Sequence, residues 1–387
     1  MKKITISKTG LILFIMIFFS LKIGSISYIS NYLNIIWHIG AILTIILGIG
    51  IILKNRKMQS IDIIVIIFYL ILTVATILNK GSIADCIKEL ISFFALYVTL
   101  CIGLNQDSNK YIKLMNRYLL VYTLLNTVSA IIFYPNSMFR DNNNPIFFLG
   151  GDNTSIRLYL ASILFYFLNN YIKTRKVKIP ILPLLNLLVF SVLRDIGGGK
   201  VCFSVVFIGI LYLRFAKTIP QRVIRYIMIF NIVLFLILVV FNKMSIFSFF
   251  IVNILNRNLT LTDRTVIWEV TINQIIRKPI FGYGFIDGLK FQQMLHGITG
   301  INAHNTYLMI LFNGGVIALS LFIYIFILAS KRFDSKKHRK WLYAIPIVLM
   351  TLMIRAQIEG WDVVWIILFL KMAYSYNNIE NIVDNEE

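Results

Sequence analysis

His304 and Arg264 are the two side chains in this chain best suited to chemistry. His304 lies in Ala303-His304-Asn305-Thr306-Tyr307-Leu308, at the head of a long apolar run. The start of a helix carries the positive end of its dipole, which disfavours imidazolium and keeps the ring neutral at about pH 7. A neutral imidazole can take a proton as a general base. Asn302, just before it, reads as the N-cap. Arg264 belongs to an amphipathic pattern that starts at Thr262-Asp263, repeats apolar residues at Trp268, Ile272, Ile275 and Ile276, and stops at Pro279 with Gly282 and Gly284. Arg264 and Trp268 are one turn apart and share a face. The stripe fits a helix lying on a membrane surface or on a helix bundle. A solvated arginine and an interfacial histidine would show the same spacing.

A second constellation is Gly197-Gly198-Gly199-Lys200, which opens the apolar run Val201–Phe215. Glycines before a helix let backbone N–H groups converge on an anion, and Arg194 and Lys200 flank them. The P-loop order of residues is absent, and a tight turn between helices accounts for the same glycines. Glu359 and Asp362 form an alternative acid/base pair, or simply solvate a turn. His38, His296 and His338 stand in no such pattern. Cys86, Cys101 and Cys202 lie in or beside apolar runs and read as small hydrophobes, with no metal site, cofactor motif or disulfide framework. Arg194, Lys200, Arg264 and a neutral His304, gathered without acidic metal ligands, suit a lipid-linked phosphate or pyrophosphate at a bilayer surface.

The elements that position these residues are membrane spans. The chain is 58% hydrophobic and only 14% charged, whereas soluble domains carry roughly 25% charged residues. A net charge of +21 would point to nucleic acid in a soluble chain, but here the charges sit in short connections between apolar runs, so nucleic acid is excluded. Runs of about 20 apolar residues recur about twelve times: Leu11–Tyr28, Ile35–Leu53, Ile61–Leu78, Ile87–Leu104, Leu114–Phe133, Arg157–Ile172, Ile179–Leu193, Val201–Phe215, Ile224–Phe241, His304–Ser330, Trp341–Ile354 and Val363–Tyr374. Lys54–Lys57, Lys110 with Lys113, Lys173–Lys178, Arg214–Arg225 and Lys331–Lys340 alternate onto one face, which predicts both termini in the cytoplasm. The fold class is therefore all-α, a polytopic membrane protein forming one domain over residues 1–387. A large extracytoplasmic loop, residues 242–303, carries the amphipathic helix. Residues 376–387 make a cytoplasmic tail, whose acidic end Glu380–Glu387 reads as unstructured.

Asp263-Arg264-Thr265-Val266-Ile267-Trp268, then Pro279-Ile-Phe-Gly282-Tyr-Gly284, then Ala303-His304-Asn305-Thr306-Tyr307-Leu308 and Gly314-Gly315 resemble the bacterial O-antigen ligase and O-antigen/capsule polymerase superfamily over about the last third of the chain. Gly150-Gly151-Asp152-Asn153 is similar to the family's Gly-x-x-Asn segment. The chain departs from the family's Ser-Arg-Gly-like segment, where it has Gly198-Gly199-Lys200 or, earlier, Leu193-Arg194-Asp195; Lys200 fits the position best and Arg194 is the alternative. The resemblance implies a glycosyltransferase without metal or other cofactor, using an oligosaccharide on undecaprenyl pyrophosphate. Arg264 with Lys200 or Arg194 would bind the pyrophosphate, and His304 would take the acceptor's proton. Asn305, Tyr307, Asn153 and Glu359 are secondary candidates. A polymerase of repeat units is the expected activity. The alternatives are a ligase moving finished glycan to a final acceptor and a flippase of the lipid-linked oligosaccharide. A chain-length regulator and a repeat-unit flippase are expected partners.

Overall fold

The computed structural model of the protein describes residues 8–55, 58–141, 144–254, 258, 264–295 and 302–384. The proposed helix start at Thr262-Asp263, His296 and the last three residues of the tail lie outside them. The N-terminal part runs α1 Lys8–Ser20, α2 Ile26–Ile29, α3 Asn31–Lys54, α4 Ser60–Leu78, α5 Ile83–Gln106 and α6 Ser108–Ile132. Strands β1 Phe139–Asp141, β2 Asn144–Phe147 and β3 Gly150–Gly151 follow. Next come α7 Asp152–Thr174, α8 Ile181–Leu193, α9 Gly197–Phe215 and α10 Val223–Phe235, whose last turn widens through Val240. The C-terminal part holds α11 Arg264–Arg277, α12 Gly288–Met294, α13 Thr306–Phe333, α14 Ala344–Arg355, α15 Val363–Tyr374 and α16 Tyr376–Asp384.

Helices account for most of the apolar runs, but Leu11–Tyr28 is broken between Ser20 and Ile26, and His304 and Asn305 precede the helix of their run. Among the described residues six are long and apolar enough to cross a membrane: α3, α4, α5, α9, α10 with its extension, and α13. Helices α1, α8 and α15 are apolar but shorter. The chain is a mostly helical, multi-pass membrane protein. On α3, Ile35, Ile39, Leu43 and Ile46 are all largely exposed, a stripe at helical spacing of the kind that lipid covers.

Contacts between distant residues sort the helix ends into two sets. At one end, Asn153 at the start of α7 meets Arg355 at the end of α14, and Phe285 meets Thr76 near the end of α4. At the other end, Lys340 reaches the Arg214 carbonyl of α9 and Asp334 caps the start of α10. Lys371 of α15 pairs there with Asp62 in the first turn of α4, a buried ion pair that Tyr97 joins through its hydroxyl at 2.6 Å. The basic connections therefore gather at one end of the bundle and the candidate site residues at the other.

Two local expectations need correction. The segment between α6 and α7 is a three-stranded antiparallel sheet in the order β1-β2-β3, so the chain is not wholly helical. The acidic tail is helical through Asp384, because Tyr376 and Ile379, three apart, bury against the bundle. His338, in the basic connection after α13, is buried among Phe333, Tyr343 and Tyr376.

The Pro279–Gly284 turn also has a role beyond stopping a helix. At Gly315, φ is +63° and α13 breaks, which removes the bonds that Val316 and Ile317 would make to Phe312 and Asn313. Instead, Val316 and Ile317 donate to the Pro279 and Ile280 carbonyls, while Tyr283 and Gly284 donate to those of Phe312 and Asn313. Two helical bonds are exchanged for four bonds to the inserted turn. A Cβ on Gly315 would meet the Ile280 oxygen at 2.1 Å, and one on Gly284 would meet Thr76 Cα at 2.2 Å. Gly315→Ala should therefore destabilise the protein by about 2 kcal/mol or more, and Gly50→Ala, where nothing lies within 4 Å, should be neutral or stabilising. Thermal unfolding of both variants in lipid checks this; equal midpoints would contradict the inserted-turn account.

Candidate active site

His304 lies one residue before the cap of α13, not inside the helix. The N-cap is Asn305, whose Oδ1 accepts from the backbone N–H of Tyr307 and Leu308, each at 3.0 Å. Asn302, expected in that role, instead accepts the His304 N–H at 2.8 Å. Between these two asparagine contacts His304 takes a left-handed backbone, φ +45°, an uncommon conformation for a residue with a side chain. Its imidazole is held down to a pKa of about 4, first by burial and second by the charge of Arg264. The ring is neutral, as the sequence implies, but the named causes are burial and a neighbouring cation.

Helix α11 carries Arg264 in its first turn. Its buried face is Ile267, Trp268, Thr271, Gln274 and Ile275, and Ile276 points outward, so the apolar stripe is rotated from the expected one. Trp268 is fully buried and its indole N–H donates to the Ala303 carbonyl at 2.9 Å. That bond ties α11 to the residue preceding His304. The helix rests on the bundle, against α13.

The connection between α14 and α15 closes the site from the opposite side. Thr306 N donates to the Ala356 carbonyl, Asn305 Nδ2 to that of Gln357, and Thr306 Oγ1 to that of Glu359, all at 2.9–3.0 Å. Gly360 lies so close to Asn302 that a Cβ would meet its Oδ1 at 2.4 Å. Arg355 is buried. It pairs with Asp362, donates to the Asn153 carbonyl at 2.6 Å, and stands 3.8 Å from Glu359 Oε2. The other Glu359 oxygen is 3.8 Å from Arg264 Nη2. Burial raises the Glu359 pKa above the ordinary carboxylate value, and Arg355 and Arg264 oppose that rise. Arg157 adds a bond to the Trp361 carbonyl at 3.0 Å, and the Trp361 indole donates to Glu89 at 2.6 Å.

The structure thus brings Arg264, His304 and Glu359 together, with Asn153 behind Arg355. Asn305 is committed to capping and to Gln357. Tyr307 packs its ring between Phe235 and Phe322, and its buried hydroxyl has no hydrogen-bond partner among the described residues. The three glycines form the first turn of α9 itself, and a Cβ on Gly198 would lie 4.0 Å from Glu359 Oε1. The N-terminus of α9 therefore faces the same carboxylate. Lys200, one residue beyond, pairs with Asp195 at 2.5 Å and is partly exposed. Arg194 is placed differently. It donates to the Pro135 and Asn136 carbonyls at 3.2 Å, lies 3.8 Å from Asp152, and covers the Phe147 ring at 4.6 Å, so it fastens the small sheet. Arg355 carries no sequence signal beyond being a lone charge at the end of an apolar run.

Residues 196–323 match the family model described as O-antigen ligase, a span from the start of α9 to the middle of α13. Comparison with curated proteins found no match.

Since Arg264 is the second cause holding His304 neutral, Arg264→Gln should move the His304 pKa up toward 6.5 without reaching it, because burial persists. Histidine NMR across a pH series reads this directly; an unchanged midpoint would show that the two side chains do not interact.

Proposed function

From a chain that carries a segment of the O-antigen ligase and polymerase superfamily over residues 196–323, we propose a metal-independent membrane glycosyltransferase that polymerises oligosaccharide repeats linked to undecaprenyl pyrophosphate. The family acts on lipid-linked glycans; the repeat-unit acceptor and the outer face of the bacterial cytoplasmic membrane are our reading. The observation that carries it is the Trp268–Ala303 bond, which fixes the arginine helix beside a buried neutral histidine.

In this mechanism Arg264 binds the donor pyrophosphate and displaces its contact with Glu359, while the N–H groups of Gly197–Gly199 at the α9 terminus supply a second set of anion ligands. Lys200, at that same turn, is the better second cation, since Arg194 already holds the Pro135–Phe147 segment. The acceptor hydroxyl oxygen forms a bond to the anomeric carbon as the bond from that carbon to the pyrophosphate oxygen breaks. The hydroxyl proton passes to the imidazole of His304, and the lipid pyrophosphate leaves with the bonding electrons and its charge on Arg264. Direct attack on the face of the anomeric carbon opposite the leaving pyrophosphate gives inversion. A histidine held at about 4 is a weak base, and the bound anion offsets part of this. Pyrophosphate on Arg264 offsets the cation that depresses His304, so the base strengthens when the donor is seated.

His304→Ala and Arg264→Ala should each lower transfer by about 100-fold or more when purified protein in lipid is given the lipid-linked repeats, with products resolved by chain length. Retained long polymer would reject the assignment. Transfer to a different acceptor without lengthening would favour the ligase reading, and movement between leaflets without any transfer the flippase reading. Lys200→Gln should raise the donor KM severalfold with normal thermal stability, whereas Arg194→Gln should lower the unfolding midpoint first. The reverse pattern would exchange their roles.

A further inference from the structure

An apolar cavity of about 600 Å³ lies between α9, α10 and α14, near the end of the bundle opposite His304. Its walls include Val205, Ile208 and Tyr212 of α9, Tyr226 and Phe230 of α10, and Met350 of α14. From Gly198, beside Glu359, the helix advances about 10 Å to Val205, the first wall residue, and about 21 Å to Tyr212 at its usual rise, so the cavity extends away from the candidate active site. Its floor is the connection between α9 and α10, where Ile219, Pro220 and Val223 line the cavity. The same connection carries exposed Lys217 and Arg222, and the first turn of α10 exposed Arg225, interleaved in sequence with those lining residues. Arg222 adopts a left-handed backbone, φ +64°, immediately before α10. From Val205 to Val233 the sequence holds no Asp or Glu. Among the described residues Asp334 meets the start of α10, and its oxygens are taken by the Ile224 and Arg225 backbone N–H groups and the Ser330 hydroxyl.

We propose that this cavity binds one anionic phospholipid, its acyl chain between α9, α10 and α14 and its phosphate against Lys217, Arg222 and Arg225. The charge complementarity carries the assignment. An apolar slot alone would take any chain, but one whose lining residues Ile219, Pro220 and Val223 are flanked by three cations within nine residues selects a negatively charged headgroup. Isoprenoid substrate is the less fitting occupant, because its pyrophosphate belongs with Arg264 at the far end of α9. The bound lipid would hold α9 against α14, and α9 presents its glycine-rich first turn to Glu359.

The purified full-length protein, stripped of lipid in detergent, would be titrated with phosphatidylglycerol or zwitterionic phosphatidylcholine, and the retained lipid counted by native mass spectrometry. Phosphatidylglycerol should be retained about tenfold or more over phosphatidylcholine, and high salt should narrow that preference. Lys217→Gln/Arg222→Gln/Arg225→Gln should equalise the two lipids, and Ile208→Trp should reduce retention of both. Equal retention by the unmodified protein, a preference that survives the triple substitution, or displacement of phosphatidylglycerol by an equimolar polyprenyl phosphate would each overturn the proposal. The first and third comparisons use the unmodified protein, so a poorly folding variant cannot hide the answer.

Discussion

A guanidinium buried at one end of a helix bundle constrains much of this structure. Removing the charge of Arg355 from water costs several kcal/mol unless it is paired and hydrogen-bonded. Its partners are Asp362, Glu359 and the Asn153 carbonyl, which tie α14, the start of α15 and the start of α7 to one point. Glu359 then reaches outward to Arg264. The charge network therefore runs from the interior of the bundle to α11, a helix that rests on the bundle against α13. Satisfying a buried cation and positioning an accessible one are parts of the same arrangement.

Backbone hydrogen bonding supplies the second constraint. The break of α13 at Gly315 leaves two donors and two acceptors that must be satisfied at a buried position. The Pro279–Gly284 turn satisfies all four. Because this turn follows α11, the repair of the helix also fixes where α11 ends, while Trp268 on Ala303 fixes its start. Arg264 is thus set by two anchors, one on each side of the His304 segment. An arginine on a loop free to move would bind anions, but it would not depress the pKa of a particular histidine.

Much of this was legible in the sequence, and the misses have physical reasons. The mostly helical, multi-pass character with its six long apolar helices, and the spacing of Arg264 and Trp268 one turn apart on α11, follow from composition and helical period, which are local properties. The neutral state of His304 was also foreseen, though from a helix dipole; the structure places the residue before the cap, where burial and Arg264 act. Arg355 could not be recognised, because its importance depends on Asn153, about 200 positions earlier, and no spacing reports that. The role of Arg194 is hidden in the same way, since its carbonyl partners, Pro135 and Asn136, lie in an irregular turn 59 and 58 positions earlier. The Pro-Gly-Gly motif announced a turn, but not that the turn completes another helix.

The account stands on a division of labour in which Arg264 binds the leaving pyrophosphate and His304 handles the proton. The direct measurement is the affinity of a short-chain polyprenyl pyrophosphate for the protein in lipid, set beside its transfer activity. Arg264→Gln should weaken binding by about 30-fold or more, whereas His304→Gln should bind within about threefold of the unmodified protein and still fail to transfer. If Arg264→Gln binds normally, or if His304→Gln continues to transfer, the division is wrong.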